Sequence, residues 1–360
     1  MTELSLQDLR DRIDTIDDQL LRLISDRARC AQQVAEVKVM AGSTEFYRPE
    51  REAQVLRKVM ESNPGPLDSE EVARLFREIM SACLALEKPV SVAFLGPEGT
   101  FTQEAVLKHF GSSAQCMPMF AIDEVFREVA AGAVNYGVVP VENSTEGVVN
   151  HTLDSFIDSS LKICGEVELR IHQNFLIGPN TDPHKITRVY SHPQSLAQCR
   201  KWLDAHYPRI DRIPVSSNAE AAKMVGGEWN SAAIAGDMAV KLYGLTKLRE
   251  KIEDRPDNST RFLVIGRQDL APSGDDKTSI IVSMKNEPGA LYTLLEPLRI
   301  HDVDMTRLET RPSSIGKWNY MFFIDFKGHL SDANVVAALA MIRERASELK
   351  VLGSYPRAVL

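Results

Sequence analysis

The chain opens on a seven-residue repeat of apolar and small side chains. They occupy positions 6, 9, 13, 16, 20, 23, 30, 34, 37 and 41, in steps of three and four that Arg27 interrupts. This pattern predicts a helix over residues 6–41, roughly 50 Å long. Shorter helices are predicted at 48–61 and 68–87. Neither could cover the long helix, so we expect an intertwined helical dimer, with an isolated coiled-coil dimerisation segment as the alternative.

After Pro89 the pattern changes to short apolar runs that alternate with helical stretches, which is typical of an α/β domain. The runs are VSVAFLG, YGVVPVEN, RVYSH, AAIAG and RFLVIG. The polar segment APSGDD at 271–276 follows. Beyond it, six elements follow in the order βαββαβ, which predicts a ferredoxin-like α+β domain. These elements lie at 278–284, 289–299, 303–310, 318–326, 331–347 and 350–354. We therefore divide the chain into domains at 1–90, 91–268 and 278–360, with a linker at 269–277.

Composition and charge exclude several classes of partner. The 42 basic and 50 acidic side chains give a net charge of -8, so we expect neither nucleic acid nor an anionic membrane as a partner. No run reaches the roughly 18 apolar residues that a membrane-spanning helix needs. The cysteines are odd in number and form no CxxC pair, which argues against a disulfide framework and a zinc site. We expect a cytoplasmic protein that needs no metal and no cofactor.

Two cations lie where the long helix should be apolar. On a helical wheel Arg27 falls at the angle of Leu9, and Lys38 lies within about 20° of it. Buried charges need compensating anions, which here are either carboxylates of the chain or a bound small dianion. Structural salt bridges inside a helical bundle would explain the pattern equally well. The candidate partners on the two shorter helices are Arg48, Arg51, Glu52, Cys83 and Glu87.

The run LRDRIDTIDDQLLRLISDRARCAQQVAEVK, followed by YRPEREAQVL, resembles the all-helical chorismate mutase domain of bifunctional chorismate mutase-prephenate dehydratases. The resemblance implies conversion of chorismate to prephenate without a cofactor, with Lys38 donating to the ether oxygen and Arg10 reaching into the partner subunit's site. Glu87 and Cys83 stand where members carry Gln and Ser, and Arg48 stands where Asp is familiar. We expect Glu87 to work protonated, with a raised pKa. The implied site comprises Arg10, Arg27, Lys38, Arg51, Glu52, Cys83 and Glu87.

The α/β segment carries candidate anion-binding loops. In GPEGTFT a glycine turn leads into a helix, with Thr100 and Gln103 spaced as a capping box. In YGVVPVENSTEG the polar residues 142–145 end a strand, where α/β sheets place ligands, although ordinary turns also use Asn and Ser. His192 in YSHPQSL is expected to be a loop or capping residue rather than a base. The patterns GxGxxG and GxxxxGK[ST] are absent from the sequence.

Together GPEGTFT, VPVENSTEG, YSHPQSLAQC and DNSTRF resemble the motifs of prephenate dehydratase. The resemblance implies two α/β lobes like those of type II periplasmic binding proteins, with the chain crossing between them twice. Thr260 would protonate the departing ring hydroxyl as CO2 leaves, and Arg261 would anchor the remaining carboxylate. The product would be phenylpyruvate. The implied substrate-binding residues are Thr100, Asn143, Ser144, Thr145, Thr260, Arg261 and Phe262.

The motifs NEPGAL (286–291) and LETRP (308–312) resemble those of ACT-type amino-acid-binding domains, with Thr310 in place of the usual Ser. The implied ligand is L-phenylalanine, which would inhibit the enzyme from an interface between two such domains. Its expected contacts are Asn286, Gly289, Ala290, Leu291 and Glu309. The alternatives are a plain structural domain, a non-catalytic phenylalanine sensor, or a dehydratase that uses arogenate. The expected assembly is a homodimer or a higher even oligomer.

Overall fold

The computed structural model describes residues 5–42, 47–312 and 320–360. Its first segment is helical, and the helices begin and end within about two residues of the predicted positions. Ser5 caps the first helix, because its side chain accepts from the Asp8 amide while Asp8 accepts from the Ser5 amide. Asp68 caps the third helix in a similar way. The helices are α1 (Leu6–Met40), α2 (Pro49–Glu61) and α3 (Ser69–Glu87).

The apolar stripe of α1 is uncovered in the single chain. No described residue of α1 is buried, and the stripe residues Leu9, Ile13 and Ile16 are 42%, 55% and 44% exposed. A contiguous apolar surface of this length is unusual on a soluble monomer. The fold therefore leaves α1 needing a second covering surface.

The α/β segment forms two lobes, as the sequence predicts. The chain builds the first lobe, crosses to the second, and returns in one long strand. The elements are β1 (Ser91–Leu95), α4 (Phe101–Phe110), β2 (Gln115–Met119), α5 (Ile122–Ala131), β3 (Tyr136–Asn143), β4 (Gly147–Val148), α6 (Asn150–Asp158), β5 (Lys162–Arg170), β6 (Asn174–Ile177), β7 (Arg188–Ser191), α7 (Pro193–Gln198), α8 (Arg200–His206), β8 (Asp211–Pro214), α9 (Asn218–Val225), β9 (Ser231–Ala235), α10 (Asp237–Tyr243), β10 (Thr246–Arg249) and β11 (Ser259–Gly266).

Strand order explains how the two lobes face each other. The first sheet has the order β2–β1–β3–β11–β5, and β11 runs antiparallel to both of its neighbours. The second sheet has the order β10–β6–β9–β7–β8. The chain enters the second lobe after β5 and comes back at β11, so the predicted double crossing is confirmed. The carboxyl end of β3 and the start of β11 therefore meet at the boundary between the lobes.

The last described domain has the predicted βαββαβ order. Its elements are β12 (Asp276–Met284), α11 (Ala290–Ile300), β13 (Met305–Pro312), β14 (Tyr320–Lys327), α12 (Ala333–Arg345) and β15 (Glu348–Pro356). The sheet is antiparallel with the order β13–β14–β12–β15. Strand β12 begins inside the predicted linker, and the first two residues of the predicted strand 318–326 lie outside the described residues.

The three segments pack against one another, which periodicity alone did not predict. One face of the β12–β15 sheet shares a core with the first lobe, because Ile281, Phe323 and Tyr355 pack with Val139 and Leu263. On the other side of the molecule, residues of the 357–360 segment pack on the helical segment. There Val359 and Leu360 lie against Leu56, Ala73 and Met80. Arg57 of α2 also donates to the backbone carbonyls of Ser273 and Asp275.

Candidate active sites and regulatory pocket

The charges of the helical segment converge as the sequence predicts. Lys38 Nζ lies 3.8 Å from Glu87 Oε2, and both side chains are largely buried. The charge of Arg27 lowers the pKa of Glu87 and the pKa of Glu52, in opposition to burial. Cys83 is buried one turn before Glu87 on α3. The structure thus brings residues of α1, α2 and α3 into one cluster of cations and carboxyls.

Burial raises the pKa of both carboxyls in this cluster. For Glu87 burial outweighs the opposing effects of Lys38 and Arg27, so its pKa lies above the ordinary value. For Glu52 burial raises the pKa to about 7, against Arg77 and Arg27. The direction for Glu87 is the one that the sequence predicts. Both groups can therefore hold a proton at a pH where exposed glutamates are ionised.

One predicted member, Arg10, lies outside this cluster within a single chain. Arg10 precedes Arg27 by 17 residues on the same helix, which separates them by about 25 Å. Its side chain is exposed, as is that of Arg51. Arg48 also points elsewhere, since its Nε lies 2.7 Å from Glu50 Oε1.

A cavity of about 300 Å³ lies between the two lobes of the α/β segment. This volume is at the lower end of the range for small-molecule sites. No Lys or Arg is among the described residues that line it. First-lobe residues in its wall include Thr100, Phe101, Asn143, Thr260 and Phe262, and second-lobe residues include His192, Ser195, Gln198, Ser217 and Asn218.

Asn143 and Thr260 form the polar centre of this cleft. The Asn143 side-chain amide Nδ2 donates to Thr260 Oγ1 over 2.8 Å. Its Oδ1 accepts from the Thr145 amide, the Thr145 hydroxyl and the Glu146 amide. Because three donors occupy Oδ1, the amide orientation is determined and Nδ2 must face Thr260. Thr260 Oγ1 therefore accepts from Asn143 while its own hydrogen remains available to a ligand.

Ser144 and Thr145 hold the loop rather than line the cavity. The Ser144 hydroxyl donates to Asn258 Oδ1 and accepts from the Ser259 amide. From the second lobe, Gln198 Nε2 donates to the Thr145 hydroxyl over 3.4 Å. This bond ties the two lobes together at the rim of the cleft. The expectation that both residues contact substrate directly is not supported by this geometry.

Arg261 faces away from the cleft, so the expectation that it anchors a substrate carboxylate is wrong for this structure. Side chains alternate between the two faces of a strand. Thr260 and Phe262 on β11 face the cleft, and Arg261 between them faces the βαββαβ domain. Its Nη2 donates to Asp325 Oδ2 over 2.5 Å, and its Nε lies 3.2 Å from Glu166 Oε2. Both carboxylates are buried.

Two helices direct their N-termini at the cleft. Thr100 caps α4, where its Oγ1 accepts from the Gln103 amide, and the Gln103 side chain accepts from the Gly99 amide. Ser217 caps α9 by accepting from the Glu220 amide. The positive ends of helices attract carboxylates. His192 is the cap of α7, as the sequence predicts, because its Nδ1 accepts from the Gln194 amide. Burial lowers its pKa.

The βαββαβ domain has a cavity of about 350 Å³ between the start of α11 and strands β13 and β14. Gly289 adopts φ +86, a left-handed conformation that other residues rarely take. Glu309 is not part of the wall; its carboxylate lies 3.9 Å from Arg307 Nη2, because it points to the opposite face of β13 from Thr310. The wall includes Asn286, Gly289, Ala290, Leu291, Thr310, Tyr320 and Phe322.

Comparison with known proteins explains this arrangement of domains. Family models match residues 9–88 as chorismate mutase type II, 92–270 as prephenate dehydratase and 278–342 as an ACT domain. The bifunctional chorismate mutase/prephenate dehydratase of Pseudomonas aeruginosa is 67% identical over 359 residues, which cover 99% of this chain and 98% of that protein. The chain belongs to the bifunctional chorismate mutase/prephenate dehydratase family. The corresponding protein of Neisseria gonorrhoeae is 50% identical over 98% of this chain and 97% of its own.

Family membership confirms the enzyme prediction, and the alternative of a non-catalytic sensor is dropped. A solved structure, prephenate dehydratase in complex with L-Phe from Arthrobacter aurescens, is 34% identical to this chain with a TM-score of 0.70. The match covers 75% of this chain and 90% of that one. In the described part of this bifunctional enzyme, no helix combines the length and apolar character needed to cross a membrane.

Arg77 is a member of the mutase cluster that the sequence did not reveal. Its Nε lies 3.3 Å from Glu52 Oε1, and its Nη1 donates to the Lys108 carbonyl at the end of α4. Arg77 lies about 80° away from Glu87 on the α3 helical wheel, so periodicity gave no signal for it. Through Arg77, the mutase carboxyl Glu52 is connected to the dehydratase domain.

Proposed function

We propose that the cluster of Arg27, Lys38, Glu52 and Glu87 is the chorismate mutase site. The rearrangement is intramolecular, so the site must hold the reactive conformer and stabilise charge on the ether oxygen that departs. Arginines suit the two substrate carboxylates, and Lys38 can donate to the ether oxygen. Glu87, with its raised pKa, supplies a second donor there when protonated. The 3.8 Å approach of Lys38 Nζ to Glu87 Oε2 is the observation that supports this assignment most directly.

Arg10 completes the site only across a dimer. It lies about 25 Å along α1 from Arg27, and the apolar stripe of that helix is uncovered. A second copy packed along α1 would cover the stripe and bring its Arg10 to this cluster. The assembly we propose is therefore an intertwined homodimer or a higher even oligomer, with each mutase site built from two chains.

Mixing two inactive variants tests the shared site. Arg10→Ala and Lys38→Ala should each abolish mutase activity. After unfolding and joint refolding, heterodimers hold one intact site, so about a quarter of the wild-type mutase activity should return. Each variant refolded alone is the control. If the mixture stays as inactive as its components while both variants keep dehydratase activity, Arg10 does not act across subunits.

The cleft between the lobes is proposed to be the prephenate dehydratase site. In the reaction the bond from the ring carbon to the hydroxyl breaks, and the electron pair of the breaking C–CO2 bond completes the aromatic ring. The departing hydroxyl takes one proton and leaves as water. Thr260 is positioned to give that proton, because Asn143 already donates to its oxygen. Solvent then reprotonates Thr260.

The substrate carboxylates need partners other than Arg261. The N-termini of α4 and α9 and the capping His192 provide donors in the cleft wall. We propose that these groups hold the carboxylate of the pyruvyl side chain. The carboxyl that leaves needs an apolar surrounding, since desolvation of a carboxylate favours its loss as neutral CO2. Phe101 and Phe262 supply apolar surface in the same wall.

Thr260→Ala is the experiment that tests the dehydratase site. The variant should lose dehydratase activity by at least about 100-fold, the lower range for a proton donor, while mutase activity in the same sample stays unchanged. Thr260→Ser keeps the hydroxyl and should recover most of the rate. Dehydratase activity that persists in the alanine variant would refute the role of Thr260. The wild-type rates with prephenate and arogenate decide between those substrates. We propose prephenate, because the related bifunctional enzymes are prephenate dehydratases.

The cavity beside Gly289 is proposed to bind L-phenylalanine and to mediate feedback inhibition. The related Arthrobacter aurescens structure holds L-Phe, and the apolar wall formed by Leu291 and Phe322 suits a phenyl ring. Inhibition requires that phenylalanine bind the less active state more tightly, and substrate must then weaken phenylalanine binding by the same factor. No disulfide joins any of the five cysteines, all of which lie in the described residues, and a reducing cytoplasm is the compartment that we propose.

A further inference from the structure

Two neighbouring strands present the dehydratase residues on one face and charged residues on the other. In the β3–β11 pair, Asn143 lies opposite Thr260 and Glu142 lies opposite Arg261. Because side chains alternate, the first pair faces the cleft and the second pair faces the ACT domain. The catalytic hydrogen bond and the charged pair are therefore held by adjacent backbone positions of the same two strands.

The ACT domain contacts both charged residues on the back of these strands. Asp325 of β14 accepts from Arg261, and Arg307 Nε of β13 lies 3.1 Å from Glu142 Oε2. The side chains of Arg261, Asp325 and Arg307 are 17%, 6% and 9% exposed. The Arg261–Asp325 pair is shielded from water on both sides, and an ion pair in such surroundings tolerates little displacement.

The buried charges are balanced and further fixed by neutral groups. Lys277 pairs with Glu166 over 2.7 Å, and Glu166 also contacts Arg261. The Ser279 hydroxyl donates to Asp325 Oδ1 over 2.6 Å. Burial alone would raise the pKa of Asp325, but Arg261 and Arg307 keep it below its ordinary value. Asp325 therefore remains ionised when Arg261 is in place.

The same two ACT strands also line the regulatory cavity. Strand β14 carries Phe322 in the cavity wall and Asp325 three residues further on, about 10 Å away. Strand β13 carries Thr310 in the wall and Arg307 three residues earlier. Each strand therefore joins one wall residue of the cavity to one residue that contacts the back of the catalytic strands.

We propose that Arg261 is a positioning residue of the dehydratase site, and that Asp325 and Arg307 of the ACT domain set the geometry of Thr260 and Asn143 through Arg261 and Glu142. This inference rests on the proposed dehydratase and regulatory sites. A ligand that shifts β13 or β14 moves the partners of Arg261 and Glu142, and so changes the Asn143–Thr260 contact on the opposite face. The dehydratase rate and its inhibition thus depend on the same ion pairs.

The test compares Asp325→Asn, Arg261→Met and Arg261→Lys with Asp154→Asn in the full-length enzyme. Asp154 is the control because it pairs with Arg311 across the same domain boundary over 2.7 Å, but on α6, which contributes no wall residue to the cleft. Dehydratase kcat and KM, mutase activity and the phenylalanine concentration for half-inhibition are measured for each variant. Mutase activity and the thermal unfolding midpoint report whether the chain is folded.

Asp325→Asn and Arg261→Met should lower dehydratase kcat by about 10-fold to 100-fold, with KM changed by less, because a displaced catalytic group slows the reaction. Arg261→Lys should recover part of the rate, since it keeps the charge without bridging both carboxylates. The half-inhibitory phenylalanine concentration should shift by about 5-fold or more in Asp325→Asn. Asp154→Asn should stay near wild type in every measurement.

The proposal is overturned if the variants at 325 and 261 match Asp154→Asn, or if only KM changes. If Asp325→Asn does not fold, Glu142→Gln replaces it, because the Glu142 side chain is 37% exposed and its loss leaves fewer buried charges unpaired. If Glu142→Gln then keeps the wild-type dehydratase kcat and the wild-type half-inhibitory phenylalanine concentration, the proposal is contradicted. A wild-type enzyme without dehydratase activity would instead refute the proposed function.

Discussion

Replacing Glu52 by glutamine should remove a pH-dependent destabilisation of the helical segment. Burial raises the pKa of Glu52 from 4.5 to about 7. One pKa unit corresponds to about 1.4 kcal/mol, so ionising this carboxyl in the folded state costs about 3 kcal/mol more than in the unfolded chain. The folded state binds the proton more tightly, and its stability therefore falls as the pH rises from about 4.5 to about 7.

Two titratable groups near Glu52 stay neutral in this window. Burial and Arg77 lower the pKa of His109 to about 3, so the imidazole is neutral there. Burial raises the pKa of Tyr47 well above its ordinary value, so the phenol is neutral too. The pH dependence that distinguishes wild type from Glu52→Gln can thus be assigned to this one carboxyl.

Native-state hydrogen exchange of α2 and α3 peptides, followed by mass spectrometry at about pH 5 to 8, measures the effect. The free energy of opening in Glu52→Gln minus that in wild type should increase by about 2.5 kcal/mol across the range, in favour of the variant. Glu71→Gln, an α3 carboxyl with a side chain 45% exposed, is the matched control and should show no such trend. A difference that is constant with pH, or that decreases, would refute the reasoning.

Two further predictions concern the mutase and regulatory sites. Glu87→Gln should flatten the decline of mutase activity at high pH. The wild-type carboxyl loses its proton as the pH passes its raised pKa, whereas the glutamine side chain has no such proton to lose. A pH–rate profile of mutase activity checks this prediction, and a slope unchanged in the variant would contradict it. Gly289→Val should weaken phenylalanine inhibition by about 10-fold or more, since φ +86 strains a β-branched residue and the side chain enters the cavity. The ratio of the dehydratase rates with and without phenylalanine measures the inhibition, and a wild-type ratio in Gly289→Val would contradict the prediction.

The elements were predictable because each carries a clear period. The seven-residue repeat of α1 and the apolar runs named from the sequence locate their helices and strands within a few residues. Strands β2, β4, β5, β6, β8 and β10 were not named from the sequence. The faces of the strands were harder to assign from motifs alone. Arg261 was grouped with Thr260 because they are adjacent in DNSTRF, yet neighbours on a strand point to opposite sides. The same alternation places Glu309 away from the cavity that Thr310 lines.

The hydrophobic periodicity of the sequence did not indicate which residues form contacts between domains. Arg77 meets Glu52 and the end of α4 only after three helices and a separate sheet have packed together. Asp325 meets Arg261 although the two residues are 64 positions apart along the chain. A local pattern records which face of an element is apolar, but it does not record which other domain that face will meet. These residues became visible only in the folded chain.

The packing of Val359 and Leu360 on α2 and α3 has a consequence for biosynthesis. The mutase helices leave the ribosome early, but part of their apolar surface is covered by residues made about 300 positions later. During translation Leu56 and Met80 therefore stay without that cover while the rest of the chain is being made. This part of the apolar surface of the helices is therefore covered only after the regulatory domain has been made.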